Sequence, residues 1–139
     1  MLDKELLLND LCARLPYGVM ATSCVKVGEF IVQGKISSIY PFGEGTVNIG
    51  MVIVPIEKIK PYLRPMSSMT EDECIELSKI RPFDDDVEAW KYIKTPVPLK
   101  IANTKHFDFF NRHHLDWRGL IPKGLALEAP DGMYNLNEK

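Results

Sequence analysis

The chain has 139 residues, 45% of them hydrophobic and 26% charged, with a formal net charge of −2. That size and balance fit a globular protein with a core of its own, needing no metal or disulfide, and exclude a whole-surface nucleic-acid binder. No stretch approaches the roughly 18 uninterrupted apolar residues of a membrane helix. The opening MLDKELLLNDLCARLP is broken by charges and lacks the pattern of a signal peptide. The three cysteines, Cys12, Cys24 and Cys74, are widely spaced with no Cys-x-x-Cys pair. They read as reduced, mostly buried thiols of a cytoplasmic protein, not as zinc ligands.

Leu7, Leu8, Leu11, Cys12 and Leu15 recur at helical spacing, so residues 4–15 are expected to form a helix, with Asp3 as N-cap and Pro16 and Gly18 as its stop. From Tyr17 to about Arg64 the pattern turns to strands. Segments 19–25, 30–32 and 35–40 alternate or carry β-branched residues, with turn signals at 27–29 and 41–45. Thr46 to Val54 reads as one further strand with Gly50 at a bulge or bend, and residues 56–64 as a short closing strand. Short strands at this spacing predict a small antiparallel sheet curling into an SH3-like partial barrel.

The chain beyond is expected to be helical. Thr70-Glu71-Asp72-Glu73 has the form of a capping box, in which the Thr70 hydroxyl accepts from the Glu73 amide and Glu73 reaches back. Cys74, Ile75, Leu77 and Ile80 follow on that helix, and Pro82 ends it. A second helix is expected over 84–93, an extended connector over 95–98 and a third helix over about 104–114. The fold class is therefore α+β: an N-terminal helix, a small barrel-like sheet and a helical C-terminal half. Residues 1–65 and 66–139 form two subdomains or one domain.

All three histidines lie at 106–114, which raises the question of a metal or catalytic site. On a helix His113 and His114 diverge by about 100°, and His106 lies some 10 Å along the axis from His113. Asp116 adds a ligand at i,i+3 from His113 only if the helix continues. Core packing fits better: Phe107, Phe110, His114 and Trp117 form one buried stripe, and His106, Phe109 and His113 a half-exposed one beside it. A small metal-dependent hydrolase using His113, His114 and Asp116 stays open as an alternative. Asp116 and Arg118 are spaced for a local ion pair. No phosphate-binding loop and no Gly-x-Ser-x-Gly elbow occurs, and Cys74 on an apolar helix face reads as a buried, inert thiol.

Charge is uneven: residues 71–88 hold eight acids against two bases, and residues 99–124 five bases against two acids. Two solvated faces that attract each other explain this pattern, and a nucleic-acid-binding module using 99–124 is the functional alternative.

Three stretches together, LLLNDLCARLPYGV (6–19), IKPYLRPMSSMTEDE (59–73) and HHLDWRGLIPKGLALEAPDGMYN (113–135), resemble a group of small uncharacterised proteins encoded in prophages and mobile regions of gut anaerobic bacteria. The resemblance covers about half of the chain, and residues 83–100 and the strand region depart from it. It implies a phage-associated accessory protein of the cytoplasm and carries over no catalytic residue. The expectation is a non-enzymatic binding module that needs no cofactor and acts on an unknown protein or nucleic-acid partner, not on a membrane. Tyr62, Arg64, Trp117 and Arg118 are residue types that anchor interfaces and are its candidate binding residues.

Overall fold

A computed structural model describes residues 3–23, 26, 31–80 and 104–134. Helix α1 spans Asp3–Arg14 and buries Leu7, Asp10, Leu11 and Arg14, an i, i+3, i+4, i+7 stripe in which two of four positions are charged. Cys12, expected on the packed face, is exposed. Pro16 cannot extend the α-helix, so the chain tightens into a single 3-10 turn at Leu15–Tyr17. Gly18, at φ 75°, closes it by donating to the Leu15 carbonyl.

Six strands follow: β1 Met20–Thr22, β2 Gln33–Tyr40, β3 Thr46–Ile49, β4 Val52–Pro55, β5 Lys60–Leu63 and β6 Leu127–Glu128. They form one sheet in the order β4-β3-β2-β1-β5-β6, antiparallel except for the parallel β5–β6 pair. The expected barrel is instead an open sheet with β4 and β6 at its edges. The single strand expected over 46–54 is two, because Gly50 takes φ 62° and turns the chain into a hairpin with Met51. A glycine at the first position of a two-residue hairpin loop supplies this backbone cheaply. The bulge lies instead on β2 between Ile36 and Ser38. There the Ser37 hydroxyl is in bonding range of the Asn48 and Gly50 carbonyls, at 3.1 and 3.2 Å.

Helix α2 spans Glu71–Ile80 and α3 spans Thr104–Arg112. The helix expected over 84–93 and the connector over 95–98 lie outside the described residues. The part of the C-terminal half after α3 is not helical: residues 113–134 form turns and β6. Two apolar clusters result. One packs Leu7 and Leu11 of α1 on Val19, Ile36, Val47, Val54 and Leu63 of the sheet side. The other gathers Met66, Met69, Cys74, Leu77, Phe109, Phe110, Leu115 and Trp117. Leu120 and Ala126 pack in the first cluster. No helix among the described residues is long and apolar enough to cross a membrane.

Tyr134 ties the tail to the sheet. Its hydroxyl donates to the Tyr62 carbonyl at 2.7 Å and accepts from the Met20 amide at 2.8 Å, filling a rung between β1 and β5. Burial pushes its phenol up to about 12, so it remains a donor at any physiological pH. Replacing Tyr134 by Phe leaves that amide and carbonyl without this partner and is expected to cost about 1–3 kcal/mol. Urea unfolding checks this, and an unchanged midpoint contradicts the role.

Candidate functional site

The chemistry-bearing side chains gather around the corner at 113–121, where two buried ionic networks meet. The first begins at the N-terminus of α2. The Thr70 hydroxyl accepts from the Glu73 amide (3.2 Å) while Glu73 Oε1 accepts from the Thr70 amide (2.9 Å), so the expected capping box forms. Glu73 also receives both guanidinium ends of Arg64, at 2.7 and 2.9 Å, and lies 3.1 Å from His113 Nδ1. Burial pushes the Glu73 carboxyl up, but the bonds from Arg64, His113 and the Thr70 amide outweigh it. They hold it well below the usual carboxylate range. Arg64 completes its donors on the carbonyls of Ser68 and His113, both at 3.1 Å.

The second network lies under α1. Asp10 and Arg14 are fully buried, with Asp10 Oδ2 accepting from Arg14 Nε at 2.8 Å and Oδ1 from Arg118 Nε at 3.0 Å. Arg14 Nη2 donates to the Leu115 carbonyl at 2.7 Å, and Nη1 has no hydrogen-bond partner among the described residues. Arg118 lies over the Trp117 ring at 4.1 Å, and the Trp117 indole donates to Asn111 Oδ1 at 2.9 Å. Asp116 does not pair with Arg118 as its spacing suggested. Its two oxygens accept the Leu120 and Ile121 amides at 2.7 and 2.9 Å, fixing the turn that returns the chain to the sheet. Burial nevertheless raises its carboxyl, against the pull of those amides and Arg14.

His114 lies between the networks. Helix α3 ends at Arg112 in a Schellman closure, in which the Leu115 amide bonds the Phe110 carbonyl at 2.8 Å and the His114 amide the Asn111 carbonyl at 3.2 Å. That motif puts a left-handed residue at position 114, normally glycine or asparagine; His114 adopts φ 61° there. Its ring stacks on Tyr134 at 3.7 Å and 14°, and its Nδ1 is buried without a hydrogen-bond partner among the described residues. Burial first, then Arg14, Arg64 and His113, lower its pKa to about 3, so the ring is neutral.

The three residues of the alternative metal set are turned to different partners. His113 points to Glu73, His114 lies against Tyr134, and Asp116 holds backbone amides. No group of three or more His, Cys, Asp or Glu among the described residues is placed to hold a metal ion. The two stripes expected on α3 also differ, since His106 and Phe109 are fully buried and Phe107 only half-buried. Of the candidate binding residues, Arg64 and Trp117 are buried, while Tyr62 and Arg118 are half-buried. In the basic region, Arg112 lies 3.9 Å from Glu76, and Arg118 is taken by Asp10. A cleft of about 270 Å³ beside α1, floored by Leu7, Ile56, Ile59 and Leu125, carries no histidine, cysteine or hydroxyl group.

The surface that stands out was not among the expected residues. Tyr40 at the end of β2, Phe42 in the loop after it, Met51 in the β3–β4 turn, and Val52 and Ile53 on the edge strand β4 are exposed. Register puts Tyr40, Thr46 and Pro55 in one row across three strands, with Ile53 in the adjacent row on the same outer face. Tyr40 and Phe42 make an edge-to-face pair at 5.4 Å. Met51 is 99% exposed at the hairpin tip, and Ile53 is 60% exposed. The signal in the sequence is Gly45–Ile56, twelve residues without a charge between Glu44 and Glu57. Strands with one wet face place polar residues outward; here position 53 is isoleucine. Compared with protein-family models, curated proteins and solved structures, the chain matches none of them significantly.

Two measurements test the corner. Asp10→Ala leaves two partly or fully buried guanidinium groups without their carboxylate and is expected to cost about 3–5 kcal/mol in urea unfolding. A loss under 1 kcal/mol would contradict a buried network. For His114, the folded pKa of about 3 lies below the ordinary 6.5, so the unfolded chain binds a proton that the folded chain refuses. Its contribution is present above pH 6.5 and is lost as pH falls toward 3, at up to about 1.36 kcal/mol per pH unit. The lowered Glu73 adds a loss of the same sign only below about its ordinary 4.5. Between pH 6.5 and 4.5, His114→Asn, which tolerates the left-handed backbone, is expected to flatten stability against pH relative to wild type. Parallel curves would refute a neutral buried ring.

Proposed function

We propose that this protein is a non-enzymatic accessory protein that works by binding another protein through the open β4 edge and the apolar outer face beside it. On the sequence resemblance, the setting we infer is phage or mobile-element biology in a bacterial cytoplasm. The observation that carries the reading is the uncharged edge strand β4, where Val52 and Ile53 and the adjoining turn residue Met51 are exposed. Edge strands that stay unpaired are ordinarily guarded by charged side chains, bulges or proline; β4 has only Pro55, at its end. An extended segment added to such an edge gains main-chain hydrogen bonds, while aromatic and aliphatic side chains beside it provide pockets for recognition. The ionisable groups at the 113–121 corner support this reading from the other side, since they hold backbone and one another. The pairing of Arg112 and Arg118 with acids favours protein over nucleic acid as the partner.

Photo-crosslinking tests the surface. A benzophenone amino acid at position 42 or 53, in the cells that encode the chain, is expected to give a discrete protein adduct. The same group at exposed Ser67 or Asp131 is expected to give none. No adduct from 42 and 53, or the same adducts from all four positions, overturns the reading.

A further inference from the structure

We infer that the cleft beside α1 is a binding site for a free apolar α-amino acid, a zwitterion with an aliphatic side chain such as leucine. The inference goes beyond the β4 edge and does not depend on it, since other residues line the cleft. The floor is the first argument. Leu7 of α1, Ile56 of the 3-10 turn Ile56–Lys58 that follows β4, Ile59 and Leu125 meet there, and none of these side chains carries a polar atom. At about 270 Å³ the cleft falls just under the roughly 300–1,000 Å³ of drug-sized sites, so its occupant is smaller than a drug. Gly124 forms part of the wall at φ 77°, and a Cβ there would meet nothing within 4 Å, which leaves the mouth open on that side.

Charge at the rim is the second argument. Asp3, Lys4, Glu57 and Lys60 line the cleft, two acids and two bases. Lys4 lies 3.7 Å from Glu57, so those two charges offset each other. Asp3 and Lys60 have no ion-pair partner among the described residues. One acid and one base therefore stand ready over an apolar floor. The ligand that matches them carries one ammonium for Asp3, one carboxylate for Lys60 and an apolar body, which is the constitution of an apolar α-amino acid. A charge brought toward an apolar wall is costly unless it is paired, and only a zwitterion pairs with both groups. An alkyl carboxylate leaves Asp3 unmatched, and an alkyl amine leaves Lys60 unmatched. The flexible four-carbon stem of Lys60 lets its ammonium follow the ligand's carboxylate.

Magnitudes divide the work between floor and rim. Burying a methylene is worth about fourfold in affinity, so the side chain of leucine carries most of the binding. A partly wet ion pair is worth no more than about fivefold, so the rim chooses the class of ligand instead of supplying its affinity.

A methyl NMR titration of the full chain with L-leucine tests this, because it reads the site and the affinity together. Saturable shifts at Leu7, Ile59 and Leu125 are expected, with a Kd below about 1 mM. Glycine, which has both charges and no side chain, is expected to bind at least about tenfold more weakly. Leucinamide, without the carboxylate, and isocaproate, without the ammonium, are each expected to lose about three- to fivefold. Asp3→Asn is expected to weaken leucine by the same factor and not to weaken isocaproate, while Lys60→Gln weakens leucine and spares leucinamide. Asp3 is exposed and Lys60 half-buried, so both variants are expected to keep the melting temperature of the unliganded protein. No saturable shift up to about 10 mM leucine, or shifts confined to residues away from the cleft, overturns the inference. Isocaproate or leucinamide binding wild type as tightly as leucine does overturns the zwitterion. Leucine binding that ignores both substitutions overturns the roles of Asp3 and Lys60. Should either variant prove unstable, the wild-type comparison of the four ligands decides by itself.

Discussion

Two buried arginines hold the corner at 113–116, and the two halves of the core depend on that grip. Arg14 reaches it from α1 through the Leu115 carbonyl, and Arg64 from the end of β5 through the His113 carbonyl. The Arg64 backbone adds two more bonds, its amide to the His114 carbonyl at 2.7 Å and its carbonyl to the Asp116 amide at 2.8 Å. The carbonyls of His113 and Leu115 lie beyond the end of α3, outside its hydrogen-bond ladder, and burying them is costly unless donors are supplied. Here the donors are charged, which makes each bond stronger than a neutral one. The same guanidinium groups must then be neutralised, so Asp10 and Glu73 are buried with them. One geometric need, turning α3 back toward the sheet inside the protein, thus accounts for both ionic networks.

That constraint also explains why two histidines and an aspartate close in sequence make no common site. A ligand set requires free lone pairs aimed at one point. His113 is drawn outward to Glu73, which already faces Arg64. His114 is fixed by the left-handed closure of α3 and lies flat on Tyr134. Asp116 is committed to the Leu120 and Ile121 amides. Each is turned by a different backbone requirement, and adjacency in sequence becomes divergence in space.

Local features were legible in the sequence, and nonlocal ones were not. The Thr70/Glu73 box and the Pro16/Gly18 stop act within a few residues, so their chemistry reads directly from the chain. Asp10 and Arg14 look like an ordinary solvated i,i+4 pair; what makes them interior is Arg118 and the Leu115 carbonyl, about a hundred residues away. Arg64, Trp117 and Arg118 carry the composition of interface anchors, yet their partners within the fold claim most of that surface. Gly50 read as a bulge or bend within one strand, and only the pairing of Thr46–Ile49 with Val52–Pro55 decides for the hairpin. The open sheet follows from that hairpin, which ends the meander at β4 instead of carrying it round to β5.

The contrast between the corner and the β4 edge locates where this protein has free energy left to give. At the corner, polar groups from distant parts of the chain are matched to one another, and a ligand there would have to displace bonds already made. At β4 the reverse holds: a strand of Val52, Ile53 and Val54 presents one side to no strand among the described residues, and the side chains of Val52 and Ile53 meet water. Covering that edge breaks no ion pair and leaves no charge to desolvate. Binding energy is a difference between states, so the site with the least to lose on association is the favoured one. By that criterion the apolar edge, not the histidine-rich corner, is the surface we propose for binding.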